Sequence, residues 1–176
     1  NPCIQQAKIT GISFLDFSTS CESTPIIPNP RGIYMTRIGK RMFPEKRMLK
    51  NEISSIDHLV LLSNDLDECI KAFGASGLGI RLALDKTEPT WGGRMLFFRV
   101  GKFTLEIIQN NHNDSREEDY FWGIAYLCSN IELTVTTLQK NGVQHSSIRE
   151  GRKAGTLVAT VKSHNLGLPT LLLQMK

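Results

Sequence analysis

The feature that most restricts what this chain can fold into is an internal repeat. From Ile56 it runs through a β-branched apolar stretch, "IDHLVLL", a helical stretch, "NDLDECIKAFGA", and three more apolar stretches, "IRLALD", "RMLFFRV" and "FTLEIIQ". After the polar "NNHNDSREEDY" the order returns as "FWGIAYLC", "SNIELTVTTLQKNG", "VQHSSIR", "GTLVATVK" and "PTLLLQM". Each round reads as β-α-β-β-β. Repetition at this length means two copies of one supersecondary unit that bury their apolar faces together.

Local signals support each element. Asn64 or Asp65 is a helix cap, and Leu66, Ile70 and Phe73 recur at helical spacing until Gly77 and Gly79. In the second copy Ile131, Val135 and Leu138 share one helix face, and Asn141-Gly142 stops it. Gly101-Lys102 joins two strands as a hairpin. Laying "SNDL" (63–66) over "CSNI" (128–131) puts His58 on Gly123; laying "TLEI" (104–107) over "TLLL" (170–173) puts Glu106 on Leu172.

Residues 1–55 read differently, as a loop-rich extension ahead of a domain over 56–176, with module one at 56–109 and module two at 121–175. A strand is expected over 9–17 and a shorter one at 32–38; the three prolines of "PIIPNP" forbid regular helix between them. The net charge of +4 is concentrated here: residues 1–50 hold eight Lys/Arg against three acids, and residues 51–176 hold thirteen against fourteen. No recognition motif or stacking-aromatic array accompanies that charge, so a nucleic-acid partner is not expected. The chain starts at Asn1 without an initiator Met, which is the expectation for a processed form or a fragment; an acid-poor start containing Ser, Thr and Arg fits an organelle matrix as well as the cytoplasm. No apolar run reaches the roughly 20 residues needed to span a bilayer, so a soluble protein without a membrane helix is expected.

Two polar residues interrupt apolar strands. His58 in "IDHLVLL" is either a core imidazole hydrogen-bonded across strands or a metal ligand. Glu106 in "FTLEIIQ" is harder to bury, because a carboxylate rarely stays inside without a cation, metal or donor. The cysteines, Cys3, Cys21, Cys69 and Cys128, have neither zinc-site spacing nor a local His base and are expected as reduced, non-nucleophilic thiols. "HSSIREGRK" lacks the strand-elbow context of a serine hydrolase, and no G-x-G-x-x-G pattern marks a dinucleotide fold.

A tandem β-α-β-β-β repeat that opens with "DH" before apolar residues and carries a Glu on its fourth strand resembles the vicinal oxygen chelate superfamily of glyoxalase I, extradiol dioxygenases and bleomycin-resistance proteins. More narrowly it is similar to the "glyoxalase-like domain" group, through "IDHLVLLSNDLDECI", "WGGRMLFFRVGKFTLEII", "FWGIAYLCSNIELTVTTLQKNG", "REGRKAG" and "GLPTLLLQ" in that order. The resemblance implies an α+β fold in which paired modules form a curved sheet with a concave trough and helices outside. It also implies that His58 and Glu106 are metal ligand positions for zinc, iron, nickel or manganese, with open sites for a substrate's paired oxygens. The second module departs from the pattern, since Gly123 and Leu172 cannot coordinate. Gln174, one strand period beyond Leu172, is a stand-in if the register shifts, with Glu88, His145 and His164 as outside candidates.

Around such a trough, Arg99 shares the parity of Met95 and Phe97 and can grip a carboxylate or phosphate; Arg152 borders the turn before the last hairpin, and Trp91 can wall a pocket. Each has an ordinary alternative as an exposed cation or core aromatic. Two functions follow. One is a metal-dependent lyase- or dioxygenase-type enzyme acting on a small oxygen-rich molecule. The other is a non-catalytic small-molecule binder or scaffold with a degenerate metal site. A homodimer is compatible with either.

Overall fold

The structure is a computed structural model that describes residues 26–27, 35–36, 52–90, 92–110, 119–165 and 167–176. A short antiparallel pair, β1 (Ile26–Ile27) and β2 (Met35–Thr36), stands apart from the main sheet. β2 falls within the strand expected at 32–38, whereas the one expected over 9–17 lies outside the described residues.

The rest follows the repeat. Module one comprises β3 (Ile53–Ser63), α1 (Leu66–Phe73), β4 (Arg81–Thr87), β5 (Arg94–Val100) and β6 (Phe103–Gln109). Module two comprises β7 (Tyr120–Cys128), α2 (Ile131–Lys140), β8 (Arg149–Glu150), β9 (Thr156–Val161) and β10 (Thr170–Met175). Their strands form one mixed, curved sheet of eight in the order β4-β5-β6-β3-β7-β10-β9-β8. The first and fourth strands of each module run parallel, and the modules meet where β3 pairs antiparallel with β7.

Sequence chemistry sets the helix ends. The Asp65 carboxylate caps α1 by accepting from Glu68 N–H at 3.0 Å, and Asn130 does the same for α2 from Leu133 N–H at 2.9 Å. α1 stops at Phe73, earlier than Gly77: Gly74 still gives its N–H to Ile70 O at 2.8 Å as a helical residue would, but its own backbone turns to an extended conformation. A Cβ at Gly74 would lie 2.3 Å from that carbonyl, so only glycine fits.

One sheet face carries both helices. Leu59, Leu61, Leu96, Phe98, Leu105 and Ile107 close over Leu66, Cys69 and Phe73 of α1. Cys128, Ala159, Val161 and Leu172 close over Ile131 and Val135 of α2. Alternation then sends the intervening residues to the opposite face. Among the described residues no helix is long and apolar enough to cross a membrane.

The strand expected over 143–149 is mostly absent. It shrinks to β8 and a single bridge between His145 and Val161. Side-chain hydroxyls share the pairing there with two backbone bonds, Ser146 N–H to Thr160 O and Lys162 N–H to Gln144 O: Thr160 N–H donates to Ser146 Oγ at 2.9 Å, and Gln144 N–H to Ser163 Oγ at 2.8 Å.

Candidate functional site

Strand register assembles the helix-free face, which we call the trough, in rows. Arg81 of β4 pairs with Arg99 of β5, Arg99 with Thr104 of β6, Thr104 with His58 of β3, His58 with Ala125 of β7, and Ala125 with Leu171 of β10. The neighbouring row is Leu84, Phe97, Glu106, Val60 and Gly123. His58 and Glu106 thus lie on one face, on adjacent strands and in adjacent rows. Glu106 is flanked by Phe97 and Val60, so its half-buried carboxyl stands on an apolar wall.

The hydrogen bond that His58 makes is not to Glu106. Its Nδ1 lies 2.8 Å from Asp57 Oδ2, and because a carboxylate only accepts, Nδ1 carries a proton, so that Nε2 is the nitrogen that holds a lone pair whenever the ring is neutral. A bulge makes this contact between sequence neighbours feasible. The pairing of β3 with β7 skips from Ile56↔Tyr126 to His58↔Ala125, leaving Asp57 as the extra residue.

Glu106 has no hydrogen bond or ion pair among the described residues. Burial pushes its carboxyl above the ordinary range; attraction to His58, Lys86 and Arg152 pulls back, and the Asp57 charge adds to the rise. Arg152 comes from the turn between β8 and β9, so a module-two cation is among the charges that act on this module-one carboxyl. Lys86 pairs with Glu88 at 3.2 Å and sits 5.8 Å from the Phe97 ring centre.

The remaining sequence candidates divide plainly. Arg99 is on the trough face, exposed, its Nη1 donating to Thr104 Oγ1 at 3.0 Å. Trp91 lies outside the described residues. Gln174 is a correction: it shares the face of Leu172, but that face is covered by α2, and its Oε1 accepts the Ile131 N–H at 2.6 Å. It serves an otherwise orphaned helix donor. The superposition of Glu106 on Leu172 is corrected with it. Val60 pairs with Glu106 where its module-two counterpart, Ala125, pairs with Leu171, so Leu171 holds the trough position and Leu172 is buried under α2.

The outside candidates stay apart. Glu88 is held by Lys86, His145 Nδ1 contacts Ser146 O at 2.8 Å, and His164 Nδ1 lies 2.9 Å from Ser163 Oγ. Among the described residues no group of three or more His, Cys, Asp or Glu is placed to hold a metal ion. Cys69 and Cys128 are both buried, and burial raises the Cys128 thiol. Sequence reading missed Asp57, Lys86 and Arg81. Asp57 stands beside His58 in the motif, but strict alternation sends it to the other face, and only the bulge returns it.

The pattern of the Glyoxalase/Bleomycin resistance protein/Dioxygenase superfamily matches residues 57–160. No curated protein matches the sequence. Among solved structures, methylmalonyl-CoA epimerase from Mycobacterium tuberculosis is similar at 16% identity and TM-score 0.58, over 74% of this chain and 94% of that one. A hypothetical protein from Bacillus halodurans is similar at 18% identity and TM-score 0.55, over 69% and 94%. A Streptomyces coelicolor methylmalonyl-CoA epimerase in complex with 2-nitronate-propionyl-CoA is similar at 17% identity and TM-score 0.53, over 70% and 98%. At such identities the likeness is one of fold.

Proposed function

This chain belongs to the Glyoxalase/Bleomycin resistance protein/Dioxygenase superfamily, and on that premise we propose that its trough binds a small oxygen-rich molecule, with Glu106 and His58 at the polar end. The observation that carries this reading is Glu106 itself. A carboxyl pushed up by burial, with no partner among the described residues, is costly unless a ligand supplies one. A bound hydroxyl can donate to it, and the lone pair on His58 Nε2 can accept from a second. The Streptomyces neighbour, which is in complex with 2-nitronate-propionyl-CoA, supports the ligand class in outline.

A divalent ion at the same place is a second reading, favoured by one observation. The bond from His58 Nδ1 to Asp57 is the support that metal-ligating imidazoles commonly receive. The donor set weighs against a resident catalytic metal. Glu106 and His58 give two side-chain ligands, module two offers Gly123 and Leu171, and a catalytic site generally needs at least three. Binding without a built-in metal is therefore the reading adopted, and no reaction step is assigned.

Thermal denaturation with zinc, manganese, iron(II) and nickel tests it. An ion held by native protein alone would add about 2.7 kcal/mol at a hundredfold excess over its dissociation constant. The expected result is no such shift for wild type or Glu106→Gln. A metal-dependent rise that Glu106→Gln abolishes would overturn the reading in favour of the metal site.

A further inference from the structure

Arg94 and Arg99 lie on the same strand, and their surroundings are opposite. Arg94 leans on carboxylates: Nη2 and Nε reach Asp85 at 2.7 and 2.9 Å, and Nη1 reaches Asp67 at 2.7 Å. Arg99 has no acid. Its one hydrogen bond among the described residues is to the Thr104 hydroxyl, and directly opposite it in the ladder stands a second arginine, Arg81, which has no hydrogen bond or ion pair among the described residues. Both are exposed. Like charges directly opposed across two strands destabilise a sheet, so this pairing works against the fold unless something anionic is shared between them.

We propose that Arg81 and Arg99 form an oxyanion site that takes a phosphate group, as the second anchor of the molecule whose oxygen-rich end lies at Glu106 and His58; in that last respect the inference rests on the function proposed above. Geometry links the two ends. Arg99 reaches across β6 to Thr104, and Thr104 pairs with His58, so the row Arg81, Arg99, Thr104, His58 leads from the open edge of the sheet to the imidazole. Strands lie about 4.8 Å apart, which puts the Cα of Arg99 roughly 10 Å from that of His58, a span that shortens because the guanidinium leans inward. Two guanidinium groups carried by directly paired residues can together meet the several oxygens of a phosphate, which a single carboxylate does not offer. Asp57 and Glu106, the acids of the inner trough, would repel a phosphate there, which leaves the arginine edge as the place for it.

Calorimetric titration at low ionic strength tests the site with two probes, inorganic phosphate and glycerol 3-phosphate, the second carrying two hydroxyls. Wild type should bind both, glycerol 3-phosphate more tightly, and Arg81→Gln or Arg99→Gln should weaken each by about tenfold. Arg149→Gln, an exposed arginine on the opposite edge strand, should change neither. Without any anion, Arg81→Gln should melt above wild type because a repulsion is gone, and phosphate should raise the melting temperature of wild type and Arg149→Gln more than that of Arg81→Gln. No binding, or binding indifferent to both substitutions, overturns the proposal. If phosphate binding depends on the arginines while glycerol 3-phosphate gains nothing, and loses nothing in Glu106→Gln, the oxyanion site stands and the function proposed for the inner trough falls.

Discussion

Seen from the helices, the two modules are filled alike. Leu59 of β3 and Ile124 of β7 pair with each other, Leu96, Phe98 and Ile107 lie beneath α1, and Ala159, Val161 and Leu172 lie beneath α2. Seen from the trough they diverge. Module one presents Arg81, Arg99, Thr104, His58 and Glu106, whereas module two presents Gly123, Ala125, Leu171, Leu173 and Val158, with a cation, Arg149, on its short edge strand. The difference separates two demands on one sequence. A helix-covered face must exclude water to fold, so both copies keep it apolar; the other face is free to specialise, and only one copy has placed an imidazole and a carboxyl on its inner strands.

The sharpest way to break this comparison exploits the register. Leu172→Glu buries a carboxylate at a position 2% exposed beneath α2 and should cost on the order of 4 kcal/mol, read from urea denaturation. Leu171→Glu, one residue earlier on the half-buried trough face, should cost less than half as much. Equal losses would mean that the faces of β10 are not as described.

Next in size are the helix ends. Gln174→Ala leaves the Ile131 N–H without its acceptor, and Asn130→Ala removes the cap beside it; each should lower stability by about 1 kcal/mol. Arg99→Gln should move it by less than about 0.5 kcal/mol, because Arg99 is exposed and lacks an acid partner. A Gln174→Ala variant as stable as wild type would return Gln174 to the list of trough residues.

The smallest effect is a pH dependence at Glu106. Its carboxyl is raised in the folded protein, chiefly by burial, so between the ordinary carboxylate range and that raised value the native state holds more protons than the unfolded one. Stability attributable to this group is therefore present below the unfolded value and is lost as pH rises through the folded one. Glu106→Gln should melt at or above wild type at pH 7, with the advantage shrinking toward pH 4. A variant less stable than wild type at pH 7 and equal to it at pH 4 would mean that the carboxylate is paired after all, and the case for a ligand at Glu106 would weaken.

Most of the architecture was legible in the chain. "RMLFFRV" and "FTLEIIQ" are β5 and β6 to the residue, because a hairpin with apolar alternation is specified by neighbours. Asp65 and Asn130 cap the helices for the same local reason. The strand expected over 143–149 shortened to a bridge where the Ser146 and Ser163 hydroxyls accept backbone N–H groups that a full ladder would pair, a competition that apolar patterning does not reveal.

The site was legible only in part. His58 and Glu106 stand out as polar residues within apolar strands, and their type and spacing are properties of the sequence. Which residues share their face is not. A shift of one residue in pairing sends a side chain to the other side of a sheet, and that shift is decided by contacts between segments far apart in the chain. It separates Leu171 from Leu172, draws Gln174 under α2, sets Arg81 opposite Arg99, and through one bulge leaves Asp57 bonded to His58. The sequence by itself determined the two modules, most of their elements and the apolar face each must bury, since these follow from local periodicity. The tertiary structure alone decided which charges meet in the trough, since that depends on register between strands distant in the chain.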